Sequence, residues 1–403
     1  MNKILKNVFV ILLLLVFILG FSKSYTSYSI DNLAFITAIG IDVSDSDLTK
    51  LKVTFQFTTS SNSSDLSESA QSKTSISSVE ATSIDSAINL MNAHIGKELK
   101  LSHCKLIVFS EKLAQLGIGD IVYTLINNIQ VRPNANIVIS KCNSEYYLNN
   151  SNPSLENYVT KYYEIFPNSG KYTGYTTNAT IGNFFYALTT DTCEPYAILG
   201  GVEKDESTFK SIDNTNSGNS PITSSRKTEN IGLAVFKDDK LVGELSAIET
   251  LAFSIIRNDI NTFMISIPNP DDTNKLLDVY LYADSNTSSS VSIINDTPYV
   301  KISTKFTGGV SSVSNDSKYL EKSTLDEISN CVNNYLESKI STYLYRTSKD
   351  LKSDINCLGK ECLSKFMTWN EFENYSWEDK YKDAFFDVHV ETNIKSGYLL
   401  TQT

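Results

Sequence analysis

The amino-acid sequence predicts a multidomain α/β protein (α+β mixed) in which mixed β-sheets are flanked by helices. In the first half of the chain, short apolar stretches with strand character alternate with amphipathic helical stretches, which is the pattern of an α/β domain. Near the middle, Asn230 to Thr250 predicts a β-hairpin that runs directly into a helix. Further on, four strand-like stretches come before the longest predicted helix. Together these three observations predict the fold class.

Composition excludes one class of partner. The chain has 403 residues, with 35 Lys and Arg against 46 Asp and Glu, so its formal net charge is −11. A nucleic-acid-binding protein needs a cationic surface to neutralise phosphates, and this charge balance does not provide one. The same acidic balance disfavours broad docking onto anionic lipid headgroups. The length is sufficient for two or three domains, each with its own core.

The N-terminus has the pattern of a membrane-targeting segment. Lys3 and Lys6 precede an apolar run from Val8 to Leu19, which is the pattern of a signal peptide and is short for a transmembrane helix. Residues 1–24 are therefore predicted to be a signal peptide or an uncleaved transmembrane anchor. The missing A-x-A cleavage site favours the anchor. Because lysines flank the cytoplasmic end of such a segment, the rest of the chain is expected outside the membrane.

An N-terminal domain is predicted over residues 25–202. Leu33–Val43 pairs with Leu51–Phe57 as a hairpin, and the polar stretch Thr58–Ser78 is an exposed loop, with or without a short strand at its end. Ser83 caps an amphipathic helix. Further strands are predicted at Leu101–Phe109, Ala135–Ser140 and Glu194–Val202, with helical patterns up to Asn128 and from Ser154 to Thr189.

Tyrosine is concentrated between Tyr158 and Tyr186. Because tyrosine offers a large contact area at a low entropic cost, this stretch is either a recognition surface or core and helix-edge packing. The clearest break in the chain follows at residues 203–229, a polar stretch that contains Gly218 and Pro221. It is predicted to be an interdomain linker or a long exposed loop.

A C-terminal domain is predicted over residues 230–403, and it begins with the central hairpin. Its charged turn is Lys237–Lys240, and Ser246 with Glu249 forms a capping box at the start of the next helix. Strands are predicted at Thr262–Ile267, Leu276–Tyr282, Val291–Ile294 and Val300–Phe306. The later elements are a long helix with a capping box at Thr324 and Glu327, a helix over Lys349–Phe366 interrupted near Gly359, a loop holding Trp369 and Trp377, and a strand over Phe385–Ile394.

The sequence contains no G-x-S-x-G elbow, P-loop, H-E-x-x-H or CxxC motif. His103 and Cys104 adjoin in a predicted strand, where neighbours face opposite sides, so they are not expected to act as base and nucleophile. Asp387, His389 and Glu391 share one face of the last strand, where they form either a metal-binding row or a solvated outer face. We therefore assign no catalytic, cofactor-binding or metal-binding residue, and we predict a protein that is not an enzyme and needs no cofactor.

The six cysteines are scattered, and Cys357 and Cys362 are the only close pair. This pair is either a disulfide formed outside the membrane or two free, partly buried thiols.

Several strings resemble one known family. They are V-F-K-D-D-K-L-V-G-E-L from Val235, L-S-H-C-K-L-I-V-F from Leu101, the strand that ends Gly40-Ile41-Asp42, and a last strand that closes at Gly397. In these features the chain resembles the Ger(x)C proteins, the C-subunit lipoproteins of spore germinant receptors. Glu244 and Glu249 belong to the central stretch of this resemblance, and we interpret them as residues that stabilise the fold through the turn and the helix cap, with no part in a reaction.

The resemblance implies a non-enzymatic subunit on the outer face of the inner spore membrane. It implies as partners a transporter-like integral-membrane A subunit and a membrane B subunit, with which the chain couples nutrient sensing to germination. One feature departs from the family: the lipidated cysteine would fall near Ser24, and no cysteine precedes Cys104. The apolar N-terminal segment is expected to replace that lipid. The alternative is a surface-anchored ligand-binding protein unrelated to germination.

Overall fold

The computed structural model describes residues 2–21, 30–58, 74–151, 155–156, 158–202, 215–222, 227–270, 275–311 and 321–395. The helices are α1 Asn2–Phe21, α2 Ile84–Ile95, α3 Glu111–Leu116, α4 Gly119–Asn127, α5 Ser144–Asn149, α6 Val159–Ile165, α7 Gly170–Thr173, α8 Ile181–Leu188, α9 Ala247–Arg257, α10 Lys322–Tyr345, α11 Gly359–Leu363, α12 Trp369–Tyr375 and α13 Trp377–Tyr381. The strands are β1 Leu33–Val43, β2 Leu51–Thr58, β3 Thr74–Ala81, β4 Glu98–Lys100, β5 Leu106–Ser110, β6 Asn136–Ser140, β7 Tyr196–Val202, β8 Thr228–Glu229, β9 Leu233–Lys237, β10 Lys240–Leu245, β11 Thr262–Pro268, β12 Leu276–Ala283, β13 Ser288–Ile294, β14 Thr297–Val310 and β15 Phe385–Lys395.

The larger sheet has the strand order β10-β9-β7-β6-β5-β1-β2-β3, with β4 beside β1 and β8 beside β7. Its centre is parallel, since β1, β5, β6 and β7 run in one direction, and both edges are antiparallel. Every residue of β5, β6 and β7 is buried, as expected for parallel strands that are covered by helices on both faces.

The central hairpin, β9 and β10, completes this larger sheet rather than the second one. β9 pairs antiparallel with β7, after the polar stretch 203–229. Gly232 makes the entry into β9 possible, because its φ of +97° is left-handed and a Cβ there would lie 2.3 Å from the carbonyl oxygen of Leu245. Where the structure describes the polar stretch, Thr215, Ser217 and Ser220 are buried.

The smaller sheet has the order β11-β12-β14-β13, and β15 adds to it parallel to β14. The long helix α10 lies along β15. Glu337 accepts a hydrogen bond from the Val390 N–H at 2.9 Å, and the Ser329 hydroxyl accepts one from the Ile394 N–H at 3.2 Å. These side chains satisfy strand donors that would otherwise lie open at the edge of the sheet.

Two buried clusters hold the molecule together. One lies on the face of the larger sheet that is covered by α2, α4 and α8, and it includes Phe55, Ile107 and Phe184. The other joins the opposite face of the larger sheet to the smaller sheet, α9 and α10, so that Val235 and Ile302 belong to one continuous core. The two sheets therefore share apolar contacts.

The predicted fold class is confirmed: two mixed sheets are flanked by helices. The hairpin β1–β2, the Ser83 cap and the capping box of Ser246 and Glu249 are also present. The stretch Thr58–Ser78 ends in β3, while residues 59–73 lie outside the described part of the chain.

Four local predictions are wrong. Leu101–His103 forms a 3-10 turn, and the strand begins only at Leu106. Helix α10 begins at Lys322, so Thr324 and Glu327 lie inside the helix and do not cap it. In place of a helix over Lys349–Phe366, α10 continues into a short π-helix at Arg346–Asp350, and the residues from there to α11 have irregular backbone. Left-handed φ angles at Lys352 and Cys357 explain the break, since they cannot continue a helix.

The fourth correction concerns the two tryptophans. Trp369 and Trp377 open the helices α12 and α13 and do not lie in a loop. The helix α12 is capped by Thr368, whose hydroxyl accepts from the Glu371 N–H at 3.3 Å.

At the N-terminus, helix α1 contains the apolar run of the predicted membrane-targeting segment. Among the helices in the described part of the chain, none is both long enough and apolar enough to cross a membrane.

Candidate functional site

Buried and partly buried charges come together where the larger sheet meets the C-terminal helices. Glu194 lies just before β7, Lys237 ends β9, and Glu378 lies on α13. Residues 351–358 cross this place, and the Glu194 N–H donates to the carbonyl of Asp354 at 3.0 Å. We call this cluster of Cys193, Glu194, Lys237, Asp354, Cys357, Trp377 and Glu378 the junction.

A disulfide ties the junction together. It joins Cys193 to Cys357, whose Cα atoms lie 4.3 Å apart although 164 residues separate them in sequence. Cys357 and Cys362 are therefore neither disulfide-bonded to each other nor both free, so the two alternatives for this pair are wrong. Cys362 is a free, buried thiol, and burial raises its pKa to about 12. Sequence spacing missed the true pair because only the fold brings β7 next to residues 351–358.

Lys237 is the central charge of the junction. Its ammonium donates to Glu194 and, at 2.8 Å, to Oε2 of Glu378, while the Asp238 N–H donates to the other oxygen of Glu194 at 2.8 Å. Burial by itself would lower the pKa of Lys237, but the two carboxylates outweigh it and raise that pKa. Burial raises the pKa of Glu194 to about 7, although Lys237 acts in the opposite direction. The ammonium is thus held in the charged form by its two partners.

Asp354 is a second buried acid in the junction. Its Oδ2 accepts from the Gly359 N–H at 2.8 Å and from the Trp377 indole N–H at 2.9 Å, while its Oδ1 has no hydrogen-bond partner in the described structure. Burial raises the pKa of this carboxyl to about 6. The group lines a cavity of about 10 Å³, which has room for roughly one water molecule.

The junction holds two parts of the chain together by ion pairs and a disulfide: the larger sheet, and the C-terminal segment with residues 351–358 and α13. Within the described residues, Glu194, Asp238 and Glu378 form the group whose carboxylate oxygens lie close enough to share a cation, all within 4.8 Å of one another. Lys237 donates to both glutamates and already supplies a positive charge there. This arrangement pairs buried charges across three segments and leaves no paired nucleophile and base among these residues.

The residues that the sequence singled out lie elsewhere. His103 ends the 3-10 turn and packs its ring edge-to-face on Phe35 at 4.7 Å. Cys104 is fully buried, its thiol contacts the Leu106 carbonyl at 3.4 Å, and burial raises its pKa to about 12. His103 and Cys104 do not take opposite faces of a strand as expected, because neither residue lies in a strand.

The row on the last strand is exposed. Glu391 pairs with Lys305 at 2.6 Å, and His389 Nδ1 lies 3.6 Å from Glu337 Oε1. Within the described residues, the side chains of Asp387, His389 and Glu391 do not come close enough together to form a metal-binding cluster. The solvated outer face is the interpretation that these contacts favour.

The tyrosine-rich stretch divides between the two alternatives. Tyr162 and Tyr163 are buried, and Tyr163 donates its hydroxyl to Gln56 at 2.9 Å. Tyr158, Tyr172 and Tyr186 are exposed. Packing therefore explains the inner tyrosines, and a recognition role for the outer ones stays a prediction.

The two glutamates of the central motif are both held by basic residues. Glu249 closes the capping box of α9 and is bound by Arg346. Glu244 pairs with Lys141 at 2.7 Å, and its backbone carbonyl accepts from Arg346 at 2.8 Å. These contacts agree with the interpretation that both residues set the fold.

The fold and the junction together define a class of protein: two mixed sheets share one core and are joined by a disulfide and by the ion pairs of a partly buried lysine. Residues 27–200 match the family described as the spore germination protein N-terminal domain, and residues 231–397 match the one described as spore germination B3/GerAC like, C-terminal. The chain belongs to the Ger(x)C family of spore germination proteins.

A solved structure shows the same architecture. The protein described as "Crystal Structure of the GerBC protein" is 15% identical to this chain, with a TM-score of 0.53, and the alignment covers 88% of this chain and 96% of that one. At this identity the likeness shows a common fold. No curated protein matches the chain.

Proposed function

We propose that the chain is the membrane-tethered, non-enzymatic C subunit of a spore germinant receptor, on the outer face of the inner spore membrane. The observation that carries this proposal is the match of both family domains, over residues 27–200 and 231–397. In this role the chain assembles with a transporter-like A subunit and a membrane B subunit, and it couples nutrient sensing to germination.

The N-terminal segment supplies the tether in this proposal. The family's lipid attachment needs a cysteine near position 24, where this chain has serine. The apolar run after Lys3 and Lys6 lies in the helix α1, and a retained hydrophobic helix replaces the membrane affinity that the lipid would contribute. The sequence after residue 24 is then held at the membrane from its N-terminal end.

We keep the division into residues 25–202, 203–229 and 230–403 as part of the proposal. The two family matches lie on either side of the middle stretch. The junction and the shared core support a function in coupling, because a signal passes through packed contacts and rigid elements rather than through loosely joined parts.

Fractionation of dormant spores tests the proposal. A chain tagged at its C-terminus is followed by intact mass in the soluble and membrane fractions, and the detergent-solubilised membrane fraction is purified through the tag. We expect a full-length chain that retains residues 1–24 in the inner membrane, together with both membrane subunits.

A matched control replaces residues 1–24 by a cleavable signal peptide, and we expect that variant in the soluble fraction. A wild-type chain that is trimmed and soluble contradicts the tether. A membrane-bound chain that purifies without either subunit contradicts the assembly and favours a surface ligand-binding protein.

A further inference from the structure

A polar pocket of about 270 Å³ lies between the turn that contains α7 and the connection from α9 to β11, and it adjoins the junction through the contact of Arg257 with Cys357. Its charged lining residues are Lys171, Arg257 and Asp259, and three of its polar lining residues are Asn178, Asn183 and Asn261. Pockets for drug-sized ligands start near 300 Å³, so this one has room for a smaller molecule.

The position of Arg257 is fixed from several sides. Its guanidinium lies 5.7 Å from the ring centres of both Tyr196 and Phe253, its Nη1 lies 3.3 Å from Cys357 Sγ, and its Nε lies 3.6 Å from Asp259 Oδ2. A guanidinium has five N–H donors, and these contacts do not use all of them. Arg257 therefore offers a preorganised cation with donors to spare, and Asp259 acts as its positioning residue.

The other lining side chains add donors that are not used within the described residues. The ammonium of Lys171 and the side-chain amides of Asn178, Asn183 and Asn261 make no hydrogen bond with the described parts of the chain. Two cations face one carboxylate, so the charged lining carries one net positive charge. Amides both donate to and accept from hydroxyl groups, which adds a second recognition element to the charge.

We propose that this pocket binds a small hydroxylated carboxylate. Its carboxylate contacts Arg257 and Lys171, and its hydroxyl groups contact the asparagine amides. Charge-assisted hydrogen bonds from a guanidinium and an ammonium to a carboxylate are the stronger kind, which favours an anion over a neutral polyol of the same size. The site is independent of the assembly with membrane subunits, and its test does not use germination.

Isothermal titration of the full-length chain in detergent micelles tests the proposal with three matched probes. Glycerate carries the carboxylate and two hydroxyls, glycerol replaces the carboxylate by a hydroxymethyl group, and L-serine replaces the 2-hydroxyl of glycerate by an ammonium. We expect glycerate to bind at least tenfold more tightly than either analogue, with an affinity that falls as salt is added.

Two variants locate the binding. Arg257→Gln is expected to weaken glycerate binding by about tenfold or more, since a hydrogen bond to a charged group is lost. Because Arg257 also packs in the core, Lys171→Ala serves as the second variant: its side chain is exposed and the same direction of change is expected. Lys161→Ala, an exposed lysine on α6 outside the pocket lining, is the control and is expected to leave the affinity unchanged.

Three results overturn the proposal. If glycerate does not bind, or binds equally to Lys171→Ala and to a folded Arg257→Gln, the pocket is not its site. If L-serine binds more tightly than glycerate, Asp259 recognises an ammonium and the ligand is a zwitterion rather than an anion.

Discussion

Removal of the Cys193–Cys357 disulfide is expected to cost a large part of the stability of this protein. The bond closes a loop over a separation of 164 residues. The loop-entropy relation for a crosslink of that length gives about 5 kcal/mol at 25 °C as an upper figure, and native disulfides typically contribute about 2 to 5 kcal/mol. Folded domains are stable by about 5 to 15 kcal/mol, so this one bond is a substantial share.

The assay is urea unfolding of the full-length chain in detergent micelles, followed by the fluorescence of Trp369 and Trp377. The curve is recorded for the oxidised protein, for the reduced protein and for the double variant Cys193→Ser with Cys357→Ser. We expect reduction to lower the free energy of unfolding by about 2 to 5 kcal/mol, and the double variant to behave like the reduced protein in both conditions.

Cys331→Ser is the matched control, because that thiol is free and half-buried, and it should leave the effect of reduction intact. The reasoning is refuted if peptide mapping under non-reducing conditions joins Cys357 to Cys362. It is also refuted if reductant destabilises the double variant as much as the wild type.

Three further predictions test the junction and one tight turn. Lys237→Met should destabilise by about 3 to 5 kcal/mol, since it leaves Glu194 buried without a cation, measured by urea unfolding. Asp354 has a folded pKa of about 6, above its ordinary value, so its contribution to the free energy of unfolding should fall by about 2 kcal/mol as pH rises from 4 to 7. Glu194, whose folded pKa is raised to about 7, adds a fall in the same direction, so Asp354→Asn should remove only the Asp354 part, measured as unfolding curves across the pH range. Gly170→Ala should destabilise by about 1 to 3 kcal/mol and lower the thermal midpoint, because its Cβ would lie 1.9 Å from the carbonyl oxygen of Thr176.

Each of these has a control on the surface. Lys305→Met removes an ion pair whose lysine is 60% exposed, and it should leave the stability nearly unchanged, because solvent screens such a pair. Asp387→Asn is the control for Asp354→Asn, and it should leave the pH dependence of the stability in place. Gly309→Ala is the control for Gly170→Ala: its Cβ would have only the Lys395 carbonyl oxygen nearby, at 3.5 Å, so its effect on stability should be smaller. Equal effects of a junction variant and its control contradict the role given to the buried group.

The structure changes the interpretation of the central motif. The hairpin from Leu233 to Leu245 lies in the half of the chain that the C-terminal family domain covers, yet its strands complete the larger sheet. Glu244 and Glu249 then bring Arg346, at the end of α10, onto the same hairpin. The motif therefore joins the two sheets, which is a physical reason for a hairpin and a helix to follow each other directly at this place.

The sequence by itself determined the elements whose physics is local. The hairpin of β1 and β2, the Ser83 cap, the capping box of Ser246 and Glu249, and the inward Val390 of the last strand all depend on residues close together in sequence. The family strings also identified the family, because short motifs survive where overall identity is low.

Only the tertiary structure decided which distant segments meet. The disulfide partner of Cys357, the pairing of Lys237 with Glu378 and the break of α10 beyond Arg346 depend on contacts between segments far apart in sequence. Such contacts leave no periodic signal in the chain, because burial and charge pairing act on whatever residues the packed sheets bring together. For that reason the partly buried Lys237 at the centre of the junction looked, in sequence, like part of an ordinary charged turn.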